Sequence, residues 1–379
     1  MKRLNEEFRK KLARVKTDFV RGIDKKINWN ARIVGISGAC GTGKTTLMLQ
    51  HIKNNFGENL ENVLYINLDN FYLSVHSLID IVGKFSRQGG KFLFLDDVQK
   101  NMDFPKILKK ISDNFLDMKI VFAGSSLKHM ETDTISIYEL QGLSFREYLS
   151  LKVNKKFPPF KLENILRQSE WISAEISSKI KPFAYFEDYL QFGYYPVFDD
   201  GIVDFQGNLE NLLNTIMDVD LPLLCGVEAK NIEKMKQLLG TLAQNSPYSP
   251  KMKHLADEID TSRITISQYL RHLEKTKFIK LLYETEGDEN KKPEKIFAEN
   301  TNLLYLFENK VDRNQTFLVN QLSYEHNVAC KGKYFLINDR FTLGFDPQKD
   351  GTSGYYCIAD DIEFGTDSQI PLWLFGFLY

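Results

Sequence analysis

The strongest constraint on this chain is a glycine-rich run that follows a short apolar segment. The run has the spacing GxxxxGK[ST] and consists of Gly38, Ala39, Cys40, Gly41, Thr42, Gly43, Lys44 and Thr45, with Thr46 next. Residues 32–37 are apolar enough to predict a strand before it, and residues 45–54 predict a helix after it. Glycines let backbone N–H groups face a phosphate chain, and a helix N-terminus adds partial positive charge. The motif therefore predicts a nucleotide-phosphate loop, with ATP bound by residues 38–46.

The residues around the loop predict an α/β fold with a parallel sheet. Further apolar runs at 63–69, 91–97, 119–125 and 136–141 alternate with helical stretches. Runs that are apolar on both faces are typical of parallel strands covered by helices on both sides. We therefore expect a P-loop sheet core over residues 31–150.

Polar residues end two of these predicted strands. Asp96 and Asp97 close the run at 91–97. We expect Asp96 to hold Mg²⁺ together with Thr45, and Asp97 to orient the attacking water. Ser125 and Ser126 end the next run, where a polar side chain could sense the terminal phosphate; a helix N-cap explains these serines equally well. The sequence thus predicts ATP and Mg²⁺ as cofactors and Asp97, Ser125 and Ser126 as catalytic residues.

Composition excludes several other classes of protein. The formal charge of −1 excludes binding of polyanions through overall charge. The four cysteines form no CxxC pair, so we expect neither a disulfide framework nor a zinc site, and a cytoplasmic location. No apolar run reaches the roughly 18 residues that span a bilayer, so no membrane partner is expected. Cys40, inside the loop, is interpreted as a spacer, with a redox role as the less favoured alternative.

Five segments follow from the patterns. Residues 1–30 contain a predicted amphipathic helix, 31–150 the sheet core, 151–231 a helical lid, 232–290 a winged helix and 291–379 an α+β domain. The first 26 residues hold ten Lys or Arg against four acids, with apolar residues at one helical face. This segment is interpreted as a helix docked on the core, with an arm that touches nucleic acid as the alternative.

The segment 232–290 reads as helix, helix, turn, helix and strand, which is the order of a winged helix-turn-helix. Arg263, Arg271 and Lys275 project from the predicted third helix. Nine Lys or Arg against six acids over residues 232–285 support DNA-groove binding weakly. A DNA-binding module and an intramolecular structural role both stay open.

Several runs together resemble the AAA-like "archaeal ATPase" family. These are the loop 38–46, Phe94-Leu-Asp-Asp-Val-Gln-Lys100, Ala123-Gly-Ser-Ser126 and the run at 142–149. Later matches at 193–196, Asp220-Leu-Pro222, 292–302 and 370–379 extend the resemblance over essentially the whole chain. The resemblance implies an ATPase core joined to a winged helix and a restriction-nuclease-like C-terminal domain.

The chain departs from that family in its catalytic residues. Asp97 stands where the family usually has Glu, and residues 127–136 are short and contain no arginine. A missing arginine finger can cost about 10³–10⁵ in rate; Arg146 is the nearest candidate in sequence to replace it. We therefore expect an ATP-dependent switch with slow hydrolysis, acting on DNA or a protein partner. The alternatives are a competent ATPase that remodels DNA or protein and a non-enzymatic scaffold.

The C-terminal domain departs further from the pattern of the resembled family. By the resemblance, Gln315, Tyr334 and Gly344 occupy positions where acids are expected, and residues 345–348 replace the stretch that would provide a lysine. Asp339 and Asp346 are out of phase with those positions. Metal-dependent hydrolysis needs carboxylates that hold the ion. Nuclease activity is therefore predicted to be absent.

Overall fold

The computed structural model describes residues 2–196, 202–285, 291–309, 313–347 and 354–379. The chain divides into two compact units, Met1–Gly142 with Leu212–Val227, and Leu143–Asn211 with Glu228–Tyr379. The five segments predicted from the sequence stay predictions. The boundary between the two units divides the predicted lid, because Leu212–Val227 belongs to the first unit. The predicted loop residues 286–290 and Gln348 lie outside the described residues.

The elements are numbered in chain order. The helices are α1 (Lys2–Arg14), α2 (Lys44–Phe56), α3 (Leu78–Arg87), α4 (Phe104–Asn114), α5 (Phe145–Val153), α6 (Leu162–Ser177), α7 (Phe183–Asp188), α8 (Ile202–Thr215), α9 (Leu221–Cys225), α10 (Ala229–Gln244), α11 (Met252–Glu258), α12 (Arg263–Lys275), α13 (Thr301–Leu306) and α14 (Arg313–Leu322). The strands are β1 (Ile33–Ser37), β2 (Val63–Asn67), β3 (Phe92–Asp96), β4 (Lys119–Gly124), β5 (Ser136–Glu139), β6 (Ile279–Leu282), β7 (Lys295–Ala298), β8 (Val328–Lys331), β9 (Tyr334–Ile337), β10 (Phe341–Gly344), β11 (Tyr355–Ala359) and β12 (Gln369–Pro371).

The first unit is built on a five-stranded parallel sheet with the order β2-β3-β4-β1-β5. Successive residues of a strand point to opposite faces, and the strands β1 to β4 are buried on both faces, whereas the edge strand β5 is partly exposed. Ile33 and Ile120 pack in one apolar cluster with α3 and α4, whereas Val34 and Val121 pack in another with α1 and α2. The predicted α/β core with a parallel sheet between helical layers is confirmed.

The N-terminal helix is shorter than the sequence pattern predicts. It ends at Arg14, although the apolar spacing continues to Phe19. Gln50 donates from Nε2 to the carbonyl oxygens of Lys16 and Phe19 at 2.8 Å each, and the Lys53 ammonium donates to the Val15 carbonyl at 2.7 Å. Side chains of α2 therefore satisfy backbone groups that a longer helix would have paired internally. The buried side chains of α1 dock it on the sheet core.

The second unit contains the helices α10, α11 and α12, followed by the antiparallel pair β6–β7. This is the predicted order of elements, and its assignment as a winged helix stays a prediction. The strands β8 to β12 form a five-stranded mixed sheet with the order β12-β11-β10-β9-β8. Its likeness to a nuclease also stays a prediction. Among the described residues, no helix is long and apolar enough to cross a membrane.

Candidate nucleotide site

The glycine loop lies at the carboxyl end of β1 and leads directly into α2. Gly41 and Gly43 have φ values of 80° and 95°, a region that residues with a Cβ rarely adopt. A Cβ on Gly38 would lie 2.3 Å from the carbonyl oxygen of Leu140, so this position is closed to any larger residue. The three glycines of the motif are thus required by backbone geometry that leaves the N-terminus of α2 facing the loop.

Lys44 is buried and turned toward its own loop. Its ammonium donates to the carbonyl oxygens of Gly38 and Ala39, both at 2.8 Å. Burying an ammonium costs free energy unless it is hydrogen-bonded, and these two carbonyls supply that compensation. Phosphate oxygens would have to replace them.

Asp96 joins the loop helix to the sheet. Its Oδ2 accepts hydrogen bonds from the Thr45 hydroxyl at 2.6 Å and the Tyr65 hydroxyl at 2.7 Å. Its Oδ1 accepts from the backbone N–H of Asp97 at 3.0 Å. Burial, and secondarily the charge of Asp97, raises the pKa of Asp96. Thr45 and Asp96, the two predicted Mg²⁺ ligands, are therefore in contact, and their oxygens are the donor type that Mg²⁺ prefers.

Asp97 follows in a left-handed backbone conformation with φ of 52°. Its Oδ2 accepts from the Asn67 amide at 2.7 Å, at the end of the neighbouring strand β2. The predicted water-orienting carboxylate is thus held by a neighbouring amide.

Ser125 and Ser126 follow β4 at the same edge. The Gln99 side chain accepts from the Ser125 N–H at 3.3 Å, and the Ser125 hydroxyl donates to Asp220 at 3.4 Å. Ser126 has φ of 56°. The 3₁₀ helix Lys128–Met130 follows these serines. Its N-cap residue is Leu127, whose side chain makes no capping hydrogen bond. The geometry therefore favours neither serine as a helix cap.

Asp220 is a buried acid that the sequence did not single out for the site. It ends a π-helical turn, Ile216–Asp220, and α9 packs against the turn Val98–Lys100. Its carboxylate lies 3.7 Å from the Lys100 ammonium. Burial raises the pKa of Asp220, whereas the nearby Lys100 and Lys44 charges lower it.

Arg21 ties the loop to the chain that follows β5. Its guanidinium donates to the carbonyl oxygens of Thr42 at 3.0 Å and of Gln141 and Gly142 at 2.8 Å each. Arg21 is buried, so these charge-assisted hydrogen bonds tie the loop firmly to residues 141 and 142.

The remaining predicted positions differ in environment. Ala39 and Cys40 are half-buried and Thr46 is exposed on the first turn of α2. Burial raises the pKa of the Cys40 thiol, which disfavours the thiolate that a redox role would need.

Arg146 lies in the second unit. Its guanidinium donates to the carbonyl oxygens of Tyr379 at 2.8 Å and Phe157 at 3.0 Å. These contacts give Arg146 a structural role in that unit.

The positions of the predicted nuclease acids also lie in the second unit. Gly344 ends β10, where an added Cβ would lie 2.6 Å from the Tyr355 hydroxyl and 3.0 Å from the Tyr334 ring. Tyr334 and Tyr355 pack edge to face at 5.7 Å. Gln315 accepts from the Lys295 ammonium at 3.4 Å. Aromatic rings therefore fill the space that an acid at position 344 would need.

Comparison with known protein families finds a match for the region that contains the glycine loop. Residues 30–149 match the family described as an AAA domain. This segment is an AAA-like P-loop domain. Residues 184–305 match a family described as a domain of unknown function (DUF8612). No curated protein matches the chain significantly.

Two solved structures illustrate the distant likenesses. A Signal Transduction ATPase with Numerous Domains (STAND) protein with a tetratricopeptide repeat sensor, from Pyrococcus horikoshii, is 16% identical with a TM-score of 0.33. The match covers 82% of this chain and 45% of that one, so the chain spans less than half of its length. The replication initiator DnaA, bound to AMPPCP and single-stranded DNA, is 16% identical over 72% of this chain and 87% of that one, with a TM-score of 0.27. Likenesses of this size carry no argument about the chain.

Sequence reasoning missed several polar residues around the glycine loop and the carboxyl edge of the parallel sheet, namely Arg21, Tyr65, Asn67, Gln99, Lys100 and Asp220. Asn67 could have been found, because it ends a strand beside Asp97. Gln99, Lys100 and Asp220 lay within runs that carried the family resemblance, but the resemblance assigned them no role.

We expect Asp96→Asn to change the pH dependence of stability in protein free of metal and nucleotide. The raised pKa means that the unfolded chain loses this proton at a lower pH than the folded protein does. The stability associated with Asp96 is present below the unfolded pKa of about 3.9 and is lost as pH rises through the folded pKa. The free energy of unfolding of the variant, relative to wild type, should therefore rise from acid to neutral pH. Urea titrations with a chelator present measure it.

Asp103→Asn is the matched control. Asp103 accepts a hydrogen bond from Lys106, which lowers its pKa, so its substitution should change the pH dependence with the opposite sign. A difference between Asp96→Asn and wild type that is flat or falls with pH would contradict the raised pKa.

Proposed function

We propose that this chain binds ATP with Mg²⁺ and acts as a nucleotide-dependent switch whose hydrolysis is slow. The observation that carries the proposal is the contact between Thr45 and Asp96 at 2.6 Å, beside the glycine loop of an AAA-like domain. A hydroxyl from the loop helix and a carboxylate from the adjacent strand end are the protein groups that hold Mg²⁺ in P-loop proteins.

Residues of the chain account for each requirement of phosphate binding. Backbone N–H groups of the loop and the N-terminus of α2 offer hydrogen bonds and positive potential. Lys44 can exchange its bonds to the Gly38 and Ala39 carbonyls for bonds to phosphate oxygens. Mg²⁺ would neutralise phosphate charge beside Thr45 and Asp96.

Slow hydrolysis is supported by what surrounds the candidate base. Asp97 has a shorter side chain than Glu, and its carboxylate is engaged by the Asn67 amide at 2.7 Å. Residues 127–136 contain no arginine, and Arg146 binds backbone carbonyls in the second unit. Ser125 is left as the proposed γ-phosphate contact, with Ser126 beside it. A competent ATPase that remodels DNA or protein is the alternative that a rapid turnover would favour.

Lys44→Ala is expected to abolish ATP binding and to leave the fold intact, because the ammonium serves the loop carbonyls and, in our proposal, the phosphates. A ligand that binds the folded state raises the melting temperature by mass action. We expect a rise with ATP and Mg²⁺ for wild type and none for the variant. Circular dichroism provides the control for folding. A rise that survives in Lys44→Ala would contradict the site, and no rise in wild type would favour a scaffold that keeps the loop for folding.

Turnover of ATP by the wild-type chain is expected to lie well below the enzyme median of about 10 s⁻¹. Asp97→Asn should lower it further, by about 10² or more, since a general base contributes roughly that much. Phosphate release measures both, with Lys44→Ala as the background. Asp97→Glu is the informative comparison, because it places at position 97 the longer carboxylate that the resembled family usually has there. A wild-type rate near the median, or an Asp97→Asn rate equal to wild type, would contradict this assignment.

DNA is the second candidate partner. Arg263 and Arg271 are both exposed on α12, the helix predicted to enter a groove. The protein could equally use this module within itself or toward a protein. We also propose a cytoplasmic location, supported by the spacing of the cysteines, and a C-terminal domain without nuclease activity.

If α12 contacts DNA, affinity should fall steeply with salt. Arg263→Ala with Arg271→Ala should flatten the logarithmic slope by about 0.9 for each phosphate that the variant no longer neutralises. Duplex titrations at several salt concentrations measure this slope. Lys109→Ala with Lys110→Ala removes the same charge from exposed positions on α4 and should leave the slope unchanged. Absence of duplex binding at low salt would exclude the DNA candidate.

A further inference from the structure

Asp220 has an unusual position for an acid beside a phosphate loop. It is 2% exposed, and its partners are the Lys100 ammonium at 3.7 Å and the Ser125 hydroxyl at 3.4 Å. The charges of Lys44 and Asp97 also act on it. A carboxylate that is buried so completely needs an ammonium or hydroxyl partner to offset its desolvation.

The two partners are where a phosphate contact is expected. Lys100 lies four residues after Asp96 at the end of β3, and Ser125 follows β4, which pairs with β1. Both therefore lie at the carboxyl edge that carries the glycine loop. An ammonium and a hydroxyl directed at one anion form the kind of electrostatic contact that a terminal phosphate accepts.

We propose that Asp220 occupies the position of the γ-phosphate in the nucleotide-free protein, and that a nucleoside triphosphate must displace it from Lys100 and Ser125. A diphosphate ends short of this position and leaves Asp220 in place. Asp220 is thus a positioning residue that sets the preference between ATP and ADP. The inference rests on the proposed ATP site and adds the residues by which that site distinguishes the two nucleotides.

Displacement of Asp220 has a consequence along the chain. Leu212–Val227 belongs to the first unit, but residue 211 before it and residue 228 after it belong to the second. The segment that carries Asp220 is therefore joined covalently to the second unit at both ends. Release of its carboxylate by the γ-phosphate gives the proposed switch a defined moving part.

The test compares the affinities of the full chain for ADP and for the non-hydrolysable triphosphate AMPPNP, each with Mg²⁺. Asp220→Asn keeps the shape and removes the charge that opposes the γ-phosphate. A neutral amide competes with the γ-phosphate for the Lys100 ammonium less strongly than a carboxylate does, so AMPPNP affinity should rise about tenfold while ADP affinity changes less than about twofold. Lys100→Met should lower AMPPNP affinity by a similar factor with little effect on ADP. Asp218→Asn, an exposed acid on the same turn, is the matched control and should leave the ratio unchanged.

An AMPPNP to ADP affinity ratio that is unchanged or lowered in Asp220→Asn would overturn the inference. If ADP binding is present and is abolished in Lys44→Ala, that result leaves the proposed ATP site intact. Absence of nucleotide binding by wild type, or binding that survives Lys44→Ala, overturns the ATP site and this inference together.

Hydrogen exchange of the wild-type chain supplies a second readout that needs no variant of Asp220. AMPPNP with Mg²⁺ should accelerate exchange of the backbone amides of residues 216–225, because this segment is released from Lys100. ADP should not accelerate it. Equal effects of the two nucleotides, or none from AMPPNP, would contradict displacement of Asp220.

Discussion

The buried carboxylate of Asp96 is the interaction on which the rest of the site depends. It accepts hydrogen bonds from Thr45 in the loop helix and from Tyr65 in the adjacent strand β2. Desolvation of a charge is costly unless such donors are present, so α2, β2 and β3 must keep the relative positions that supply them. The backbone N–H of Asp97 completes this set of donors. The position of the loop helix on the sheet is therefore tied to this one buried group.

Three charged groups at this edge of the sheet have partners within the chain. Lys44 is hydrogen-bonded to loop carbonyls, Lys100 pairs with Asp220, and Asp97 accepts from Asn67. ATP binding at this edge would therefore be an exchange of partners, and its free energy would be the difference between two sets of charge-assisted bonds. A site of this kind can change conformation on binding, because each phosphate contact that forms releases a protein group from its former partner.

Local sequence patterns predicted the sheet core well, because the strands β1 to β4 are buried on both faces and β1, β2 and β3 each end at a polar residue. The strand expected at 32–37 is observed as Ile33–Ser37, and that at 119–125 as Lys119–Gly124. The contact between Thr45 and Asp96 was expected from the motif and its strand. Long-range contacts could not be predicted in this way. The α1 helix ends early because Gln50 and Lys53 bind carbonyls more than thirty residues away, and Asp220 reaches Ser125 across 95 residues of chain. Neither contact leaves a periodic signal in the sequence.

Gln99 connects Asp97 with Ser125, the residue whose hydroxyl donates to the Asp220 carboxylate. Its side-chain oxygen accepts from the Ser125 N–H at 3.3 Å, and its side-chain nitrogen lies 3.5 Å from Asp97. A Cβ on Gly124 would lie 2.6 Å from that same oxygen, so the fit around Gln99 is tight. Close packing transmits small displacements, because neighbouring groups have no free volume in which to absorb them. In the proposed switch, movement of Asp220 away from Ser125 would therefore alter the environment of Asp97 through one amide. The sensing of a terminal phosphate and the readiness of the candidate base would then be coupled within the first unit.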